Sequence, residues 1–163
     1  MIFKADMKNY SLFINEALRY RVSCSVRTLK NGLRYSDQVV RTTPGDKPYM
    51  PMVFPSGRWK ITGVLWQRDD SGKDVFNYNT YGPCKILTDA YQYVNVWELD
   101  SDGDYYRETD VKVLDSCYWL HYSMSSTTTG CVRLNSHDDA VHIGEVVDSS
   151  LTRGESCYLE VWW

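Results

Sequence analysis

The sequence predicts a mainly β fold: a twisted β-sandwich or partly closed barrel with one or two short helices. Short runs that alternate apolar and polar residues dominate the chain. Turn dipeptides separate these runs at close intervals. Six Trp and thirteen Tyr supply aromatic side chains that favour strands and also line polar grooves. With 163 residues, 43% of them hydrophobic, residues 1–163 suit a single packed domain.

The strand-like runs fall at 10–14, 19–26, 58–64, 84–87, 91–99, 105–107, 111–114 and 118–122, with a closing strand at 157–163. In 58–64, Trp59 and Ile61 share one face while Lys60 and Thr62 share the other. Turns are expected at Asn31-Gly32, Pro44-Gly45, Ser56-Gly57, Ser71-Gly72, Gly82-Pro83 and Asp102-Gly103-Asp104. One segment reads as helix. Ser136, His137, Asp138 and Asp139 can cap it, and Ala140, Ile143 and Val147 recur at helical spacing. A weaker helical signal lies near 88–91.

Several function classes are excluded or disfavoured. Eighteen Lys and Arg against twenty-one Asp and Glu give a net charge of −3 with no basic block, a poor match to a phosphate-driven nucleic-acid binder. No apolar run approaches the roughly 18 residues of a membrane helix. The start, MIFKADMKNY, has no apolar signal core. The acidic Asp100 loop fails as a calcium hand, because the positions that need Gly and Glu hold Tyr105 and Val111; a solvated hairpin turn is expected instead. His137 and His142 have the wrong spacing for a zincin. No metal or organic cofactor is expected.

Five cysteines occur, Cys24, Cys84, Cys117, Cys131 and Cys157, and none forms a C-x-x-C pair. An odd count leaves at least one outside any internal disulfide framework. Cys24, Cys84, Cys117 and Cys157 read as small buried hydrophobes. Cys131 stands apart because of its neighbours. A β-run delivers His121, a Ser/Thr-rich loop follows, and Gly130-Cys131-Val132-Arg133 closes the stretch. A thiol with an ordinary pKa of about 8.5 needs a base or cation beside it to react, and a hairpin-like return could bring the imidazole to the sulfur. Backbone N–H groups around Thr129, Gly130 and Cys131 could hold an oxyanion. Gly130 could let a substrate approach the backbone. Arg133 could bind a substrate carboxylate or fix the loop through carbonyls. On spacing alone, a buried thiol and a hydrogen-bonded histidine are the favoured explanation of the pair.

The stretch resembles the signature of the L,D-transpeptidase (YkuD-like) family. Leu120-His121-Tyr122 takes the place of the family's Ile-His-Gly, and 128–134 that of its Ser-x-Gly-Cys segment. Residues 54–61 look like its Thr-Pro-x-Gly-x-Phe-x-Ile strand, and Tyr81-Gly82-Pro83 like the border of its cleft. Residues 135–147 are similar to its helix after the cysteine, and 154–163 to its last strand, so the resemblance covers about 11–163. Thr129 stands where many members have His and others Ser, and Tyr122 stands where Gly is usual. With a shortened loop between His121 and Cys131, these departures resemble divergent branches that include antibacterial effectors and phage-encoded proteins.

The resemblance implies an L,D-transpeptidase-type domain acting on peptidoglycan stem peptides. Cys131 would attack the carbonyl of the third stem residue, terminal D-alanine would leave, and a thioester would remain. His121 would carry the proton. Gly130 and Thr129 would frame the oxyanion. Arg133, Tyr122 and Tyr81 would contact the stem. An amine, a free D-amino acid or water would then complete transpeptidation, exchange or L,D-carboxypeptidase action. The expected site of action is the cell wall or periplasm. Without a signal sequence, delivery by a phage or secretion system, or a trimmed chain, is expected. The expected partners are stem peptides and, for a delivered effector, an inhibitor or immunity protein. The competing expectations are a non-catalytic domain of the same fold that binds peptidoglycan or protein, and an unrelated thiol hydrolase.

Overall fold

Phe3 and Ala5 are buried while Ile2, Lys4 and Asp6 are only partly covered, a two-residue period that makes the first segment a strand with one face inward. The same arithmetic recurs along the chain in the computed structural model, which describes residues 1–24, 27–28, 34–35, 41–43, 45–73, 81–124, 128 and 130–163. Its strands are β1 (Ile2–Asp6), β2 (Ser11–Ile14), β3 (Leu18–Ser23), β4 (Arg27–Thr28), β5 (Arg34–Tyr35), β6 (Arg41–Thr42), β7 (Pro48–Tyr49), β8 (Gly57–Trp66), β9 (Cys84–Thr88), β10 (Gln92–Leu99), β11 (Tyr105–Asp115), β12 (Trp119–Tyr122), β13 (Val132–Leu134) and β14 (Cys157–Trp162). The helix α1 (His137–Thr152) lies between β13 and β14.

Eight strands close a barrel in the order β1-β14-β8-β9-β12-β13-β3-β2. The β1–β14 and β12–β13 pairs are parallel; the other six are antiparallel. Closure removes the free edges that an open sheet would expose. The core joins Phe3, Leu12, Val22, Ile61, Ile86, Leu120, Val132 and Leu159 from the strands with Ala140, Ile143 and Val147 from α1. Ser136 caps α1 by accepting from the Asp139 N–H, and Asp138 and Asp139 place negative charge at its positive end. Gly144 lets α1 press on the barrel, since a Cβ there would meet the Cys84 sulfur at 2.8 Å and the Trp66 ring at 2.9 Å.

A second sheet, β11-β10-β7-β6, stands beside the barrel, and β4 pairs with β5. The β10–β11 hairpin turns at the acidic loop, where Asp100 Oδ1 accepts from the N–H groups of Asp102 and Asp104, both at 2.9 Å. The carboxylate is thus spent on its own turn, as the hairpin reading expects.

The mainly β class and the helix after Cys131 match the sequence reading, with these differences: the helix is not short but runs for 16 residues, on to Thr152. The runs at 105–107 and 111–114 are one strand, β11, whose register is interrupted by bulges opposite 95–99. The weak helix near 88–91 does not form: Thr88 ends β9, and its hydroxyl is bonded to the Tyr118 carbonyl at 2.5 Å. Cys117 is exposed rather than buried, while Cys24, Cys84 and Cys157 are buried. The strand β1 goes beyond the sequence reading. The turn at Asn31-Gly32, the Pro44 of the next turn, residues 25 and 26 of the expected strand, and Thr129 lie outside the described residues.

Candidate functional site

Strand β12 buries Leu120 in the barrel core, so alternation directs Trp119 and His121 to the opposite face. His121 pairs with Lys85 of β9 on one side and Arg133 of β13 on the other. The Tyr81 ring meets His121 edge-on at 5.4 Å and Trp119 at 5.7 Å. The Lys85 ammonium sits over both neighbouring aromatics, 3.9 Å from the Tyr81 centroid and 4.5 Å from that of Trp119. This lid leaves His121 4% exposed.

The His121 ring has a defined polarity. Its Nδ1 lies 3.0 Å from the Tyr122 carbonyl oxygen. A carbonyl only accepts, so Nδ1 carries the hydrogen and a neutral ring keeps its lone pair on Nε2. Burial lowers the pKa to about 4; the Tyr122 bond opposes this, and Lys85 and Arg133 reinforce it. The ring is therefore neutral at pH 7.

Cys131 stands just before β13, one residue ahead of the Leu120–Val132 pair. The segment is pinned by the Thr128 hydroxyl, which donates to the Cys131 carbonyl at 2.8 Å. The Cys131 thiol points to the Cys117 carbonyl at 3.8 Å and is 7% exposed. Burial pushes its pKa up to about 11, against the Trp119 N–H and Arg41. The other groups acting on it are Cys117 and Asp115. None of these four is among the groups acting on His121. His121 thus lies on β12 and Cys131 just ahead of the adjacent β13, but among the described residues no hydrogen bond joins them.

The remaining candidates divide between the two surroundings. Arg133 directs Nε and one terminal nitrogen to the Ser123 carbonyl at 3.0 and 2.7 Å, and its other terminal nitrogen to Asn135 at 3.1 Å. Of the two roles open to it in the sequence, the guanidinium performs the loop-fixing one here. Tyr122 covers Gly82, where a Cβ would lie 2.8 Å from its ring and its carbonyl, and Arg133 lies 5.8 Å from the Tyr122 centroid. Gly130 has φ +88°, and a Cβ there would meet the Met52 carbonyl at 2.5 Å and the Tyr118 ring at 3.0 Å. Close packing by Met52 and Tyr118 accounts for this glycine. The structure therefore gathers Tyr81, His121, Tyr122 and Arg133, and places Gly130 and Cys131 beside Tyr118 and Cys117.

Three features escaped the sequence reading. Lys85 has no local signal, since its closeness to His121 comes from strand pairing. Asp115, Tyr49, Tyr118 and Gln92 form a buried polar cluster: Tyr49 donates to Asp115 at 3.0 Å, Tyr118 donates to the other carboxylate oxygen, and Gln92 meets the Tyr118 hydroxyl at 2.7 Å and donates to the Val53 carbonyl at 2.8 Å. Cys117 and Ser116 line an open groove of about 450 Å³ with Lys85, Asp89, Leu87 and Trp119. Among the described residues no cluster of His, Cys, Asp and Glu is suited to a metal ion.

No known family model, curated protein or solved structure matches the chain.

Proposed function

We propose that the protein is a cysteine-dependent acyl transferase of L,D-transpeptidase type acting on peptidoglycan stem peptides. The observation that carries this reading is the fixed tautomer of His121. A neutral imidazole with Nδ1–H held by a carbonyl presents Nε2 as a base, on the strand paired with the one that Cys131 precedes. The chain order supports it: histidine strand, Gly-Cys-Val-Arg, helix, closing strand.

In the reaction the Cys131 thiol turns from the Cys117 carbonyl and gives its proton to His121 as sulfur attacks the carbonyl of the third stem residue. The proton then passes to the departing D-alanine amine, and a thioester remains. An amine, a D-amino acid or water resolves it. The neutral thiol and neutral ring require proton transfer to accompany attack, in place of a preformed ion pair.

The burial and raised pKa of Cys131 favour a second reading, a domain of the same fold that binds peptidoglycan or protein without catalysis. Mass spectrometry of tetrapeptide muropeptides incubated with the chain, beside Cys131→Ala, separates the two. Release or exchange of D-alanine, or a new cross-linked dimer, absent from the variant, establishes catalysis. Unchanged muropeptides with folded protein select the binding domain.

A further inference from the structure

We propose that Cys117 and Cys131 form a reversible disulfide by exchange with a small-molecule disulfide such as oxidised glutathione. The two cysteines stand just ahead of neighbouring parallel strands, β12 and β13. Cys131 Sγ lies 3.8 Å from the Cys117 carbonyl oxygen. Covalent geometry then puts that sulfur within about 6.5 Å of the Cys117 α-carbon; a disulfide holds these two atoms about 4 Å apart, so a local shift of at most about 2.5 Å at the exposed Cys117 closes the gap. Cys117 has φ +69°, a left-handed conformation uncommon for a residue with a side chain, at the point where its carbonyl meets the Cys131 thiol.

Access differs sharply between the two. Cys117 is exposed on the wall of the groove that also holds Lys85 and Asp89, whereas Cys131 is buried. A solution disulfide therefore meets Cys117 first. The Cys117 thiolate attacks one sulfur, the reagent's S–S bond breaks, and one thiolate departs and takes up a proton. Cys131 then loses its proton and attacks the Cys117 sulfur, expelling the second small thiol. Two protein thiols are oxidised and one small disulfide is reduced to two thiols. The raised pKa of the buried thiol makes the second step the slower one, faster at alkaline pH. If Cys131 is the nucleophile of the proposed function, the disulfide switches that activity off; only this consequence rests on that reading.

The test incubates the full chain with oxidised glutathione at mildly alkaline pH, alkylates it and digests it with trypsin. No Lys or Arg lies between Lys112 and Arg133, so both cysteines fall in one peptide, residues 113–133. That peptide should be lighter by two hydrogens and refuse alkylation, with both changes reversed by dithiothreitol. Cys117→Ser should leave it with an intact Cys131 thiol. A glutathione adduct that persists on Cys117, a bond to Cys24, Cys84 or Cys157, or unoxidised thiols would each overturn the pairing. D-alanine release is measured on the same samples: Cys117→Ser should keep its activity under oxidant while wild type loses it. Disulfide formation without D-alanine release in either redox state sinks the proposed function and leaves the pairing standing.

Discussion

His121 donates its Nδ1 hydrogen to the carbonyl of Tyr122, the next residue in the chain, and Tyr122 in turn closes over Gly82. The ring is held neutral by a lid of Tyr81, Trp119, Lys85 and Arg133. Because burial lowers its pKa to about 4 from an ordinary 6.5, the unfolded chain binds the extra proton first. Stability from this residue is complete above pH 6.5 and is lost as pH falls through the window to about 4, on the order of 3 kcal/mol in all. Asp115 acts in the opposite sense: its raised pKa means stability falls as pH rises above the ordinary carboxylate value. Thermal melts of wild type and His121→Gln across this range isolate the histidine. The variant should lose the steep acid limb, and equal limbs would show that His121 does not titrate this way.

Two glycines with similar backbones should respond differently to alanine. Gly130 and Gly154 have φ +88° and +78°, so either substitution strains the backbone by about 1–2 kcal/mol. A Cβ at Gly154 meets nothing within 4 Å, whereas one at Gly130 meets backbone oxygen of Met52 at 2.5 Å. Gly130→Ala should therefore cost at least about 2 kcal/mol more than Gly154→Ala. Urea unfolding with matched slopes measures the difference. Equal losses would place the requirement in φ alone.

How much of this was legible in the sequence depends on the range of the physics involved. The strands holding Trp59, Ile61 and Leu120 announce themselves by alternation, and α1 by the Ser136 cap and the spacing of Ala140, Ile143 and Val147. His121 and Cys131 were visible because they share one short segment. The Lys85 contact was not, because pairing of β9 with β12 joins residues far apart in sequence. Nor was the setting of Cys131, on which Arg41 and the 115–117 segment act from two distant parts of the chain. Local pattern encodes the elements, while burial of a particular thiol is a property of the assembled chain.

Arg133 should prove sensitive to the shape of its cation. Two guanidinium nitrogens converge on the single Ser123 carbonyl while a third reaches Asn135. Lysine keeps the charge but cannot make this fork. Arg133→Lys should lower stability by about 1–2 kcal/mol and loosen the loop that leads to Cys131. Denaturation reads the first effect, and faster alkylation of Cys131 under native conditions reads the second. Unchanged values for both would reduce Arg133 to a generic surface charge.

The buried carboxylate of Asp115 ties the second sheet to the barrel. Tyr49 of β7 donates to one oxygen, and Tyr118, just ahead of β12, donates to the other. Tyr105 adds a bond to the Tyr49 carbonyl at 2.5 Å. Removing one phenol leaves the carboxylate short of a donor in a dry setting, which costs about 1–3 kcal/mol. Removing both cannot simply double that loss, because protonating Asp115 becomes the cheaper response as donors disappear. Tyr49→Phe, Tyr118→Phe and the double variant form a cycle that reads this coupling. The single losses should exceed the double loss when summed, and the double variant should regain stability as the medium is acidified towards the raised pKa of Asp115. Strict additivity at every pH would show that the two phenols act independently and that the carboxylate does not link the sheets.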